Sequence, residues 1–318
     1  MGDYAQPVAD ALLISGWIRR PDGVELFWER YGSGSAPALF LHGGPGSGLS
    51  SHYRSYFDPN LHTVVAFDQR GCGRSVPSVV DDLQSLVQNT TQRLIEDIEA
   101  LREDAGIGRW LVVGLSWGAT LGLAYAQAHP DRVSGLVLGA VTTTSRDEVQ
   151  SLTQDLRHVF PEQWGRLAAV AHPVPGERLV EALYRGIISP DHAERQGVAT
   201  AWGEWEETHP SLDANFVPSP RWQDPRRSLE MATLVLHYWS HHAFLGEAGI
   251  MNQTSRLAGI PGTMVHGRLD ISSTMSVPSD LSQSWPDSTL IEIDGEGHFG
   301  EQIFRTVKDA VRQMSERP

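Results

Sequence analysis

The chain has 318 residues, 40% of them hydrophobic and 20% charged, enough for a well-buried core in one domain or in a domain with an insertion. Its formal charge of −14 argues against sequence-independent binding to nucleic acid or an anionic membrane, since those surfaces need a basic partner. Cys72 is the only cysteine, which excludes an internal disulfide and fits a reducing, cytoplasmic setting. Met1 to Pro7 lacks a basic segment followed by an apolar run, so no signal peptide is expected. No stretch of about 18–20 apolar residues reads as a membrane span.

Trp17-Ile18 and Val24–Trp28 alternate around the turn signal Pro21-Asp22-Gly23 and predict a leading hairpin. Ala38–Leu41 and Thr63–Phe67 are short apolar runs that end in Gly-rich or charged turns, as buried parallel strands do. Leu94, Ile95, Ile98 and Leu101 share one helical face. Trp110–Val113, Gly135–Gly139, Thr263–His266 and Thr289–Ile293 supply further strands. The sum is an α/β fold, a mainly parallel sheet with helices on both faces. Between residues 145 and 250 the strand signal stops and a helical pattern, broken by several prolines, takes over. The expected organisation is a catalytic domain from residues 1–144 and 251–318, with residues 145–250 inserted as a helical cap.

Gly114-Leu115-Ser116-Trp117-Gly118 lies between the strand at Trp110–Val113 and a helical run from Ala119 to His129. In that context the serine sits on a tight turn with its hydroxyl exposed, which is the α/β-hydrolase nucleophile elbow. A serine nucleophile needs a base, an acid to orient the base, and donors for the oxyanion. His266-Gly267-Arg268-Leu269-Asp270 and Asp294-Gly295-Glu296-Gly297-His298 each follow a strand, which puts Asp270 and His298 on the edge that carries Ser116. His298 is the candidate base and Asp270 its orienting acid. Asp294 is the rival acid, disfavoured because it sits too close in sequence to reach the far ring nitrogen. The loop His42-Gly43-Gly44-Pro45-Gly46 and the residue after the nucleophile nominate the backbone N–H groups of Gly44 and Trp117 as oxyanion donors. No metal or cofactor is expected. His237 and His241 are one helical turn apart but lack a third ligand motif, so aromatic packing is their reading, and Cys72 reads as a turn residue.

Taken with Asp68-Gln69-Arg70-Gly71-Cys72-Gly73-Arg74-Ser75, Asn89-Thr90-Thr91, Leu123–Gln127, His129-Pro130, Trp202–Glu206 and His237-Tyr238, these motifs resemble the proline iminopeptidase family of α/β-hydrolases. The resemblance covers most of the chain and is sparse in the cap. It implies the same triad and release of an N-terminal residue, typically proline, from a peptide or small amide. It also implies cap glutamates that hold the substrate's α-ammonium group. Glu206 matches one of them. At the other, the family's Arg-Ile-Glu-x-His-Tyr reads Thr233-Leu234-Val235-Leu236-His237-Tyr238, so Val235 replaces a glutamate. Leu269 replaces a tyrosine before the triad aspartate, and Phe299 follows the histidine. Gly43, Trp205, Glu206, Val235 and Tyr238 are the candidate substrate contacts, whereas Glu204 and Glu207 read as solvated charge on other helix faces. The expected partner is a small molecule or short peptide, not nucleic acid or membrane.

Val235 and Leu269 suggest a more apolar pocket and motivate a second reading, an ester, lactone or non-peptide amide hydrolase on the same scaffold. An epoxide hydrolase or dehalogenase is disfavoured because the elbow carries Ser rather than Asp. A non-catalytic binding protein is disfavoured because all three triad members are present.

Overall fold

The computed structural model describes residues 13–212, 218–246 and 249–316; the amino-terminal segment read for a signal peptide lies outside them. Strands β1 (Leu13–Arg19) and β2 (Glu25–Tyr31) form the leading hairpin in antiparallel register, Leu13 opposite Tyr31 and Arg19 opposite Glu25. β2 pairs antiparallel with β4 (His62–Phe67). The rest of the sheet is parallel: β3 (Ala36–Leu41), β5 (Trp110–Leu115), β6 (Val133–Gly139), β7 (Gly262–Gly267) and β8 (Ser288–Ile293). Strand order is β1-β2-β4-β3-β5-β6-β7-β8.

The unbroken apolar runs make sense because both sheet faces are covered. Leu39, Leu41, Val112, Leu136 and Leu138 pack on one face with residues of α1 (Thr91–Asp104) and α2 (Trp117–Ala128). Their alternates Ala38, Phe40, Leu111, Val113 and Val137 pack on the other with Ile303, Val307 and Val311 of α9 (Glu301–Ser315). The period of two along each strand thus assigns side chains to two separate cores. A shorter helix, α8 (Ser276–Ser284), links β7 to β8.

Between β6 and β7 the described residues form helices and no strand: α3 (Arg146–Thr153), α4 (Pro161–Ala171), α5 (Leu179–Ile187), α6 (His192–Thr208) and α7 (Pro225–Ser240). They share an apolar core of their own, including Leu167, Leu183, Val198, Trp202 and Leu236. Local signals set their ends. Ser145 and Glu148 form a reciprocal capping box at the start of α3. At α7, Asp224 accepts from the N–H groups of Arg226 and Arg227, with Pro225 as the first helical residue. No helix among the described residues is long and apolar enough to cross a membrane.

After β3 the chain moves to one side of the sheet, and from β5 onward to the other. The crevice at the carboxyl ends of β3 and β5 is therefore a topological switch point, where folds of this kind bind ligands. The His42–Gly46 loop and Ser116 both leave the sheet there.

Candidate active site

Ser116 links β5 to α2 at φ 56°, ψ −123°, a backbone conformation costly for any residue with a Cβ. The turn closes because its flanking glycines allow backbone contact. A Cβ on Gly114 would lie 2.1 Å from the Gly118 carbonyl oxygen, and one on Gly118 would lie 2.1 Å from that of Leu41. The Ser116 N–H donates to Gly139 O at 3.0 Å, which ties the elbow to β6.

His298, on the loop after β8, has Nε2 3.0 Å from Ser116 Oγ and donates through Nδ1 to Asp270 Oδ2 at 2.6 Å. Asp270 Oδ1 accepts from the N–H groups of Ser272 and Ser273 at 2.9 and 3.0 Å. Burial opposes charge on both groups. For Asp270, the neighbouring His298 outweighs it and holds the carboxyl below its ordinary range. For His298, Asp270 outweighs it, with help from Glu206, and raises the imidazole above its ordinary range. Asp294, the rival acid, is 92% exposed and pairs with Arg268 at 3.2 Å. The three groups can move a proton from the hydroxyl to the ring while the carboxylate fixes the tautomer.

The loop after β3 lies against the nucleophile: a Cβ on Gly43 would sit 3.3 Å from Ser116 Cβ. Gly44 and Gly46 have φ of 111° and 95°, which glycine supplies without penalty. Trp117 opens α2, so its N–H has no acceptor within the helix. Gln69 joins the two sides of this corner. Its side-chain amide donates to His42 O at 3.0 Å and accepts from the Trp117 indole at 2.9 Å, while its backbone N–H donates to His42 Nε2 at 3.1 Å. The family-like turn around Gln69 reads as structural from sequence alone; only the fold brings its side chain between loop and elbow.

Ser116 and His298 open into a cavity of about 1000 Å³, walled on one side by the loop after β3 and on the other by the inserted helices. Gly43, Gly44, Trp117 and Glu206 line it. The Glu206 side chain is 19% exposed; burial pushes its carboxyl up to about 7, against the opposing pull of His298 and Arg221. Three of the expected substrate contacts lie off the cavity wall. Val235 is fully buried in the helical core, away from the cavity wall, because α7 turns that face inward. Trp205 likewise packs inside, edge-on to Phe160. Tyr238 packs on the Trp117 ring and donates to Asn89 Oδ1 at 2.6 Å, so it supports the elbow from behind. Leu269 is half exposed outside the cavity, so neither it nor Val235 makes the pocket apolar.

Glu204 is a surface charge near Arg166, at 3.5 Å. Glu207 is not, because α6 ends at Thr208 and the cavity wraps around its last turn. Glu207 lines the cavity, and its Oε1 is buried without a hydrogen-bond partner among the described residues. His209, which follows, accepts from or donates to Ser272 Oγ at 2.6 Å and is held neutral by burial, its ring lowered to about 3. His237 bonds Asn89 O and the Tyr184 hydroxyl at 2.8 and 3.0 Å within an aromatic cluster. Cys72 is buried beside Gln69 O, and burial raises its thiol.

Sheet order, strained serine elbow and hydrogen-bonded Ser–His–Asp array together define an α/β-hydrolase. A model of the alpha/beta hydrolase fold matches residues 37–300. A Streptomyces coelicolor protein named probable proline iminopeptidase is 41% identical over 294 residues, 89% of each chain. The proline iminopeptidase of Neisseria gonorrhoeae is 37% identical over 310 residues, 94% of this chain and 97% of its own. The crystal structure of proline iminopeptidase from Mycobacterium smegmatis superposes with a TM-score of 0.61 at 20% identity, covering 95% and 99% of the two chains, and shares the fold. The chain belongs to the proline iminopeptidase family of α/β-hydrolases.

Proposed function

We propose that this chain is a serine aminopeptidase that releases an N-terminal residue, proline first, from short peptides or small amides. The observation that carries the reading is a triad-like array opening into the cavity that also holds a partly buried carboxylate, Glu206. Ser116 Oγ attacks the scissile carbonyl carbon as its proton passes to His298 Nε2, and Asp270 stabilises the imidazolium. The N–H groups of Gly44 and Trp117 take the oxyanion. The C–N bond then breaks as His298 protonates the leaving amine, leaving an acyl ester on Ser116. Water, deprotonated by His298, attacks that ester, and Ser116 leaves with its proton restored. Residues 145–250 serve as a cap that roofs the cavity on the catalytic domain of residues 1–144 and 251–318. The single buried Cys72 supports a cytoplasmic setting. An ester or lactone without an amine would bring no cation to Glu206, whose neighbours are the Trp202 indole and the neutral His209 ring at 3.9 Å, which favours the aminopeptidase reading over that alternative.

Amine release from L-prolyl-2-naphthylamide, beside its N-acetyl analogue and with Ser116→Ala as blank, tests the reading. Only the free-amine substrate is expected to be cleaved. Cleavage of neither, by protein whose Ser116 reacts with a fluorophosphonate, would overturn it. Glu206→Gln is expected to lower kcat/KM for the free amine about ten- to hundredfold, the worth of one charge-assisted contact. The acid limb of the pH profile should change with it. In the wild type both Glu206, near 7, and His298, raised above its ordinary value, must lose a proton. Without the Glu206 charge one ionisation disappears and the imidazolium is less favoured, so the limb becomes shallower and moves to lower pH.

Gln69 is expected to act by position. Gln69→Met keeps the length but loses both side-chain bonds to the oxyanion corner. We expect kcat to fall about tenfold with KM held, a fraction of the cost of losing an oxyanion donor outright. An equal rise in KM, or no change in kcat, would assign Gln69 to packing alone.

A further inference from the structure

Arg221 sits on the short helical turn Pro220–Gln223, between α6 and α7, and lines the cavity that holds Ser116 and Glu206. Its Nη1 donates to Ser47 Oγ at 2.8 Å, with Met231 Sδ at 3.7 Å. A hydroxyl and a thioether leave most of a guanidinium's five donors unused. Among the described residues no carboxylate forms an ion pair with it. Two other buried guanidiniums are paired, Arg70 with Asp22 and Asp97 and Arg102 with Glu99, whereas Arg195, buried in the helical insertion, shows no ion pair among the described residues and does not line the cavity. Burial lowers the Arg221 pKa, and the Glu206 charge, beyond ion-pair range, only partly offsets this. The cavity therefore presents a cation and an anion that face one space without neutralising each other.

We propose that Arg221 binds a carboxylate of the substrate, so that the cavity selects zwitterionic aminoacyl compounds. The ammonium group rests on Glu206, the carboxylate on Arg221, and the scissile carbonyl at Ser116. This rests on the aminopeptidase reading and narrows it to a substrate class. The planar fork of arginine matches a carboxylate bidentately, and a partly desolvated guanidinium discriminates against a neutral isostere that leaves it unpaired. The carboxylate has two sources, the free C-terminus of a leaving amino acid or the side chain of an acidic N-terminal residue.

Two pairs of substrates separate the sources: prolyl-alanine against prolyl-alaninamide, and L-glutamyl- against L-glutaminyl-2-naphthylamide. In one pair the carboxylate member is expected to be favoured ten- to hundredfold in kcat/KM. Arg221→Met should bring that ratio close to one, and Arg221→Lys should recover part of it, because an ammonium keeps the charge but loses the fork. Being a ratio, the readout is insensitive to partial loss of folded enzyme. Ratios near one in both pairs for the wild type, or a preference that survives Arg221→Met, would overturn the proposal. If L-prolyl-2-naphthylamide is still cleaved, the aminopeptidase reading stands alone. Failure to cleave any free-amine substrate, by protein that a fluorophosphonate labels, overturns both.

Discussion

Replacing Ser116 with alanine is expected to lower kcat by about 10⁴–10⁶ on any substrate the cavity accepts, with KM little changed. The hydroxyl is the nucleophile positioned on His298 Nε2, at 3.0 Å, and alanine leaves the ring with no serine proton to take. His298→Ala should cost about as much, because a serine without its base is no more nucleophilic than water. The double variant should be no worse than either single one, since the residues act as a unit. Additive losses would mean that Ser116 and His298 serve separate steps, and the acyl-enzyme mechanism would fall. The alanine variant keeps the strained backbone at φ 56°, so its thermal midpoint should match the wild type and assign the loss to chemistry. Residual turnover in Ser116→Ala would measure what the proposed oxyanion donors, Gly44 and Trp117, and the proposed ammonium site at Glu206 do by binding alone.

The inner sheet was legible because β3, β5 and β6 are buried on both faces and read as apolar runs, whereas the edge strand β8 is mostly part-exposed and carries Ser288, Thr289 and Glu292. Ser116, Asp270 and His298 were legible because each follows a strand, and the carboxyl ends of parallel strands share one edge of the sheet. Direction on a helix was harder. Val235 occupies a position where relatives of similar pattern suggest a charge, yet α7 turns it into the helical core. Glu207 was expected in solvent because it is one residue from Glu206, but near the end of α6 at Thr208 both glutamates reach the cavity while Trp205 faces the helical core. Gln69 and Arg221 carried no usable signal. Gln69 reaches His42 and Trp117 across 27 and 48 residues, and Arg221 reaches Ser47 across 174. Contacts of that range are set by how layers stack, which no local pattern encodes.

Two aspartates compete in sequence for the role of orienting acid, and their variants should separate by about four orders of magnitude. Asp270→Asn is expected to lower kcat about 10⁴-fold at neutral pH. The two backbone N–H groups of Ser272 and Ser273 need an acceptor, so the asparagine oxygen is held where Oδ1 now lies. The amide NH₂ then faces His298 Nδ1, which must turn from donor to acceptor. That places the ring proton on Nε2, toward Ser116, where it blocks removal of the hydroxyl proton. The imidazolium also loses the charge that raises its pKa, so the remaining activity should depend on an ionisation at lower pH. Asp294→Asn should stay within about twofold, because an exposed ion pair with Arg268 contributes little. The reverse ranking would move the acid to the loop before His298 and require the 2.6 Å contact with Asp270 to be structural. A rate for Asp270→Asn that recovers as pH rises above 9 would fit hydroxide taking the base's part, with the elbow and oxyanion donors intact.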